Sequence, residues 1–202
     1  MVDAWAQKLP EHATSLARQN TRAVALMNAG KLQEAARVFE ECLRYHPDNP
    51  DILNNLSTIR AHQGRPREEL MLLQRAVAAN PRHHPTYSNL ASHYLQTNNT
   101  EKAIEEMTKA IALAPTDASY HRKMAAMLTS LSRYAEARDH WAEAARHEPG
   151  NARNFVKLAE ACMQLGLHAE AIEAVERAQR LAPNDPNVIA IANQVSGLSP
   201  RR

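Results

Sequence analysis

The sequence predicts an all-α fold: five stacked helical hairpins followed by one more helix at the C-terminal end. The first observation is a strict period, because five prolines, Pro47, Pro81, Pro115, Pro149 and Pro183, follow one another at intervals of 34 residues. A period of this size is typical of proteins in which each repeat packs only on its neighbours. The second observation is a helix-favouring composition, with 4% aromatic residues, 5 glycines and no segment that alternates apolar and polar residues as a half-buried strand would.

The period divides the chain into units once the marker proline is placed at position 32 of each repeat. Residues 1–15 form an N-terminal cap or extension, although Pro10 could instead begin a longer first helix, because proline is favoured at the first helical position. The apolar segment that begins at Pro186 predicts a capping helix. Residues 186–202 are therefore predicted to form this helix and a frayed tail. The five units are 16–49, 50–83, 84–117, 118–151 and 152–185.

Each unit reads as two helices joined by a short turn, here named helix A and helix B. In the third unit, helix A is predicted from Pro85 to Gln96 and helix B from Thr100 to Leu113, with Thr100 as the N-cap. The marker prolines end each helix B, because the residue before a proline is pushed out of the helical region. Glycine readily takes the positive φ of a turn after a helix, and three units carry it there, as Gly30, Gly64 and Gly166.

Small and large residues recur at fixed positions, as expected where neighbouring helices interdigitate. Positions 8, 20 and 27 are mostly alanine, and position 24 is large in all five units. Two residues of the second unit depart from the pattern: Arg60 and Glu69 stand where apolar or small residues are expected. The sequence offers no account of Glu69. The large residues at position 24 are Phe39, Leu73, Met107, Trp141 and Val175.

This pattern resembles the tetratricopeptide repeat (TPR) family. The resemblance covers 170 of the 202 residues, and the third unit carries the signature as Tyr87, Leu90, Ala91, Tyr94, Ala103, Met107 and Pro115. It implies a right-handed superhelical α-solenoid. It also implies that one side of each helix A, at positions 2, 5, 6, 9, 12 and 13, lines a concave groove that binds proteins.

Eight residues in that expected groove are the candidate binding residues. The amides can pair with the backbone of an extended peptide, because each carries both a donor and an acceptor. The cations would attract a carboxylate or a phosphate, and Glu160 is the only acidic residue expected near them. The residues are Asn54, Asn55, Asn89, Ser92, Arg122, Lys123, Arg153 and Lys157.

Some TPR proteins hold a peptide's C-terminal carboxylate with a Lys/Asn/Asn/Lys/Arg clamp. The matching positions here are Asn54, Thr58, Asn89, Ser119 and Lys123. Only Asn89 and the charge of Lys123 fit, so that clamp is not predicted.

The leading hypothesis is therefore a non-catalytic adaptor that binds a protein or peptide partner, with an acidic segment or a C-terminal carboxylate as the favoured ligand. One alternative is a recognition module of a larger enzyme, which a reading frame continuing past Arg202 would favour. Another is a scaffold that forms a homodimer through the apolar C-terminal helix. An RNA-binding repeat is disfavoured by the net charge of +2, so no nucleic-acid partner is expected.

No catalytic motif, cofactor or metal site is predicted. His83 and His84 are adjacent, and His93 and His121 could approach one another, but no cluster of Cys, Asp or Glu completes a shell. Cys42 and Cys162 occupy apolar repeat positions and are expected to be buried thiols. No signal peptide and no run of 18 apolar residues occurs, which predicts no membrane insertion and a cytoplasmic location.

Overall fold

The computed structural model describes residues 9–197, with side chains from residue 16 onward, and this part of the chain is all-α, with eleven helices and no strand. It divides into two compact units, one ending at Leu113 and one beginning at Ala114. The helices are α1 (Leu9–Asn28), α2 (Leu32–Tyr45), α3 (Pro50–His62), α4 (Pro66–Ala79), α5 (His84–Gln96), α6 (Thr100–Leu113), α7 (Ala118–Ser130), α8 (Tyr134–His147), α9 (Ala152–Gln164), α10 (His168–Leu181) and α11 (Pro186–Ser196).

The first unit consists of three consecutive hairpins, α1–α2, α3–α4 and α5–α6. Each hairpin packs on the next through α2 against α3 and α4 against α5, while the A helices α1, α3 and α5 contact one another in series. Contacts are confined to neighbours, which is how repeat proteins build a core one layer at a time.

The second unit consists of the hairpins α7–α8 and α9–α10 followed by α11. Helix α11 lies against α9 and α10, and it buries Val188, Ile191 and Val195 in the core formed by these helices. Its opposite side exposes Ile189. The C-terminal helix thus covers the apolar side of the last hairpin.

The residues at the repeat's small and large positions are buried, as the period predicted. Ala23, Ala91, Ala125 and Ala159 at position 8 have no exposed surface. All five large residues at position 24 are at most 7% exposed, the highest value being that of Trp141. An added methylene at such alanines would force side chains off their rotamers, so the small residues fix how closely the helices approach.

Each helical hairpin turns at a residue with positive φ, and these residues also recur every 34 positions. The angles are +74° at Gly30, +67° at Gly64, +57° at Asn98, +57° at Ser132 and +70° at Gly166. The left-handed region is free of steric cost for glycine, tolerable for asparagine and unfavourable for serine. The turn geometry is therefore common to all five hairpins, although the sequence shows it only in the three that use glycine.

A second periodic feature is the residue before each A helix. The side chains of Asn49, Asp117, Asn151 and Asp185 accept hydrogen bonds from the first-turn backbone N–H groups of α3, α7, α9 and α11. These bonds satisfy donors that have no partner inside the helix. His83 stands at the same place before α5 and makes no such side-chain cap.

The predicted N-cap of α6 was wrong by one residue. Helix α6 begins at Thr100, and the Oδ1 atom of Asn99 accepts the backbone N–H of Lys102 at 3.4 Å. Asparagine is as good a cap as threonine or better, so the sequence alone did not separate the two.

The two unexplained residues of the second repeat are both satisfied by partners. Glu69 on α4 pairs with His93 on α5, with Oε2 and Nδ1 2.9 Å apart and both side chains 6% exposed. The Arg60 guanidinium, also buried, bonds Glu40, Glu68 and Gln63. Buried polar groups of this kind are tolerated only when they are paired. The Glu69–His93 and Arg60–Glu40 pairs also link one hairpin to the next.

The ends of the chain are described only in part. Helix α1 begins at Leu9, one residue before Pro10, while Trp5 of the predicted N-terminal cap and the predicted tail, Ser199 to Arg202, lie outside the described residues. Among the helices that the structure describes, none is long and apolar enough to cross a membrane.

Candidate functional site

The predicted amides lie on two neighbouring A helices of the first unit and bond to each other. Nδ2 of Asn89 on α5 donates to Oδ1 of Asn54 on α3 at 2.9 Å and to the hydroxyl of Thr58 at 3.2 Å. Asn54 is 8% exposed and Asn89 is half-buried. Since both N–H groups of Asn89 are used in this pairing, its Oδ1 atom is left to accept a bond from a ligand.

The other two predicted residues of the first unit are half-buried on the same helices. Asn55 follows Asn54 on α3, and the hydroxyl of Ser92 on α5 donates to the carbonyl of Ser88 at 3.1 Å. Four predicted residues thus share the paired helices α3 and α5. The four predicted cations belong to the second unit.

Arg122, one of the four predicted cations, already has an acidic partner. Arg122 on α7 bonds the carboxylate of Glu148, which also accepts from Nδ2 of Asn151 at 3.0 Å. These hydrogen bonds, first from Asn151 and then from Arg122, lower the pKa of Glu148. The expectation that Glu160 is the only nearby acid was therefore wrong, because Glu148 neutralises Arg122.

The remaining cations differ in their surroundings. Lys157 on α9 pairs with Glu160 one turn later at 2.7 Å, both side chains being more than a third exposed. The ammonium of Lys123 lies 5.9 Å from the ring centre of Tyr120. Desolvation lowers the pKa of Lys123, although the attraction of Asp117 opposes this. Arg153 is exposed at the start of α9.

A cavity of about 460 Å³, here named the α7–α9 cavity, opens beside Lys157. Its floor is apolar, with Trp141 of α8 and Ala161 of α9 both nearly buried. Five of its residues stand at the A-helix positions expected to face a ligand: Ala126, Thr129, Lys157, Glu160 and Gln164. The cavity is completed by Tyr134 and Gln194.

A larger cavity of about 690 Å³, named the α8–α10 cavity, lies between α8, α9 and α10. Phe155 and Leu158 form part of its wall, and Arg177 lies 5.9 Å from the Phe155 ring. Arg138 at its edge is paired with Asp139 and Glu170. The sequence pattern does not indicate this cavity, because its residues come mostly from B helices, outside the A-helix positions expected to face a ligand.

Among the residues of the second unit whose roles in the site the sequence did not predict are Glu148 and Trp141. Trp141 was recognised only as a core residue, yet it also forms a cavity floor. Glu148 stands one residue before a marker proline, in the turn between α8 and α9. Its charge and its position near the start of helix A were the available signals.

The helical hairpins, the nearest-neighbour packing and the polar A-helix faces define a helical-repeat protein. A tetratricopeptide repeat family model matches residues 20–84, and a second model of the same description matches residues 70–127 and 128–195. The chain belongs to the tetratricopeptide repeat family, as its resemblance predicted. A search of curated proteins gives no match.

Solved structures of the same fold cover most of the chain. The crystal structure of MamA protein has 20% sequence identity and a TM-score of 0.68, over 85% of this chain and 93% of that one. PilF of Pseudomonas aeruginosa has 11% identity and a TM-score of 0.79, over 92% and 85%. YrrB, a TPR protein described as having an unusual peptide-binding site, has 14% identity and a TM-score of 0.66, over 96% and 100%. At these sequence identities, the similarity shows only that the fold is shared.

Proposed function

We propose that this chain is a non-catalytic adaptor that binds an extended peptide segment of a partner protein on its A-helix faces. The observation that carries the proposal is the α7–α9 cavity, whose apolar floor and polar edge are formed largely by A-helix residues. A cavity with a few convergent polar groups is the usual form of a binding site. One apolar side chain of the peptide would occupy this cavity.

In the first unit, taken by itself, the amides would contact the backbone of a peptide segment bound there. Asn89 keeps its Oδ1 atom as an acceptor while Asn54 and Thr58 hold its Nδ2 atom in place. A side chain fixed in this way loses little further freedom on binding, which favours affinity. Asn55 and Ser92, on the same two helices, offer further polar contacts.

An acidic group on the peptide would be recognised by Lys157 together with Lys123 and Arg153. The Lys157–Glu160 pair joins residues one turn apart on an exposed helix face, and such pairs contribute only about 0.3–0.5 kcal/mol. A peptide carboxylate can therefore replace Glu160 at little cost. Arg122 is less available, because Glu148 is held against it by Asn151 as well.

The proposal predicts an order of effects among charge reversals. A peptide would first be selected from a displayed library of random peptides, and its affinity then measured by calorimetry. We expect Lys157→Glu to weaken binding by at least about tenfold, or ~1.4 kcal/mol, and Arg122→Glu to weaken it less. Helix content by circular dichroism should stay unchanged in both variants.

The matched control is Arg180→Glu on α10, which lies at the α8–α10 cavity and pairs with Glu176. It carries the same charge change in the same unit. If Arg180→Glu weakened binding and Lys157→Glu did not, the peptide would occupy the α8–α10 cavity and the proposed surface would be wrong.

A further inference from the structure

The second unit gathers three histidines and a glutamate where helices α7 and α8 pack together. His140, Glu143 and His147 follow one another at intervals of three and four residues, which places them on one face of α8. His121 on α7 faces them and is 6% exposed. One nitrogen each of His121 and His147 and one oxygen of Glu143 all lie within 4.8 Å of one another.

The distances within this group match those between the ligands of a metal ion. Nδ1 of His121 lies 3.1 Å from Nδ1 of His140, and Nε2 of His147 lies 3.5 Å from Oε2 of Glu143. Tetrahedral Zn²⁺, with bonds of roughly 2.0–2.1 Å to nitrogen and oxygen, separates its ligand atoms by about 3.3 Å. Only small side-chain movements would therefore be needed to close His121, Glu143 and His147 around one ion. His140 contacts His121 but lies outside this close group, so it would need a larger movement to become the fourth ligand.

The tautomer of His121 is fixed by the backbone. Its Nε2 atom lies 3.0 Å from the carbonyl oxygen of Pro115. A carbonyl can only accept, so Nε2 carries the proton and Nδ1 keeps its lone pair. A histidine that donates its second ring N–H to a backbone carbonyl is the usual arrangement around bound metals, because the bond orients the ring.

A cation already contacts part of this group. The guanidinium of Arg146 bonds the Glu143 carboxylate and lies 2.9 Å from Nε2 of His147. Its side chain is 64% exposed, so it can move into water when another cation arrives. Arg146 would then compete with a metal ion for the same donor atoms.

We propose that His121, His140, Glu143 and His147 bind one divalent transition-metal ion of the Zn²⁺ type. Imidazole and carboxylate ligands suit such ions, and the ion would join α7 to α8 within one hairpin. The site is separate from the α7–α9 cavity, whose lining includes none of these four residues.

The experiment is a calorimetric titration of the full chain with Zn²⁺ in the presence of a weak competing chelator. We expect one ion per chain. Glu143→Gln and His147→Gln should each weaken binding by at least about tenfold, since even groups that only support a metal ligand are worth 10–100-fold. Arg146→Gln should tighten binding, a result that a purely structural role for the histidines would not produce.

The matched control is His62→Gln, which removes an exposed histidine in the first unit and should leave the affinity unchanged. Substitution of His121 is avoided because it is buried and its loss could disturb folding. Absence of one-to-one binding, or weak binding that Glu143→Gln leaves unaltered, would overturn the proposal and leave only scattered surface histidines as ligands.

Discussion

At the scale of single residues, the departures from the repeat pattern are the most informative positions. Glu69 replaces the expected small residue of its repeat, and His93 on the following helix pairs with it in the interior. Neither residue alone can be interpreted from the sequence, because the pattern describes one repeat at a time while the pair joins two. The periodic core positions, in contrast, were predicted correctly, because the same residue types recur at them in every repeat.

The Glu69–His93 pair should behave as a coupled unit in stability measurements. Glu69→Ala restores the residue type that the repeat prefers, but it leaves His93 buried without its partner. We expect a loss of about 1–3 kcal/mol in the free energy of unfolding. A double-mutant cycle with His93→Ala, followed by urea denaturation, should give a coupling of roughly 0.5–3 kcal/mol. Additive effects of the two substitutions would show that the pair contributes nothing.

The two thiols should react slowly while the chain is folded. Burial raises the pKa of both, that of Cys162 to about 11, with the negative charge of Glu170 as the second cause. Because the thiolate is the reactive form, only about one Cys162 in a thousand would be ionised at pH 8. Labelling with a thiol reagent should be complete in denaturant and much slower in buffer. Rapid labelling of the folded chain would contradict the buried placement of Cys42 and Cys162.

At the scale of helices and turns, the sequence predicted the hairpins but not all of the residues that form their turns and helix caps. Glycine marked the turn of three hairpins. Asn98, which tolerates the same backbone conformation, is a weaker signal, and Ser132 gives none. The residues that cap the A helices also recur every 34 positions, as Asn49, Asp117, Asn151 and Asp185. Such periodic features could have been found by aligning the five units at every position.

Replacing Ser132 by glycine should stabilise the turn between α7 and α8. Ser132 has φ +57°, a conformation that costs roughly 1–2 kcal/mol for a residue with a side chain. We expect Ser132→Gly to raise the free energy of unfolding by roughly 1 kcal/mol, measured by urea denaturation. Ala142→Gly, at an exposed position in the middle of α8, is the control and should lower it by about 1 kcal/mol. A loss of stability in both variants would contradict the strain assigned to Ser132.

At the scale of the whole molecule, the family and the all-α architecture followed from the 34-residue period. The surroundings of the candidate binding residues were predicted less well from this period. The period places Arg122 and Lys157 on the helix sides that are expected to face a ligand. It says nothing of Glu148, which pairs with Arg122, or of the cavity beside Lys157. Charge pairing and cavities depend on side-chain conformations between repeats, so the sequence pattern does not contain them.

The C-terminal helix exposes too little apolar surface to support a dimer. Helix α11 places Val188, Ile191 and Val195 in the core and exposes Ile189 as its only large apolar side chain among the described residues. A stable dimer buries roughly 800 Å² per partner, which one such residue does not supply. We expect light scattering at high concentration to show a monomer. A dimer that Ile189→Asp dissociates would instead support the scaffold alternative.

The central claim, that a peptide binds at the A-helix face of the second unit, is tested most directly by photo-crosslinking. A photoreactive phenylalanine derivative would replace Gln164, which lines the α7–α9 cavity, or Gln179, an exposed residue of α10 that lines none of the described cavities. The account predicts that the selected peptide is captured from position 164 and not from position 179. Capture from position 179 alone would contradict it.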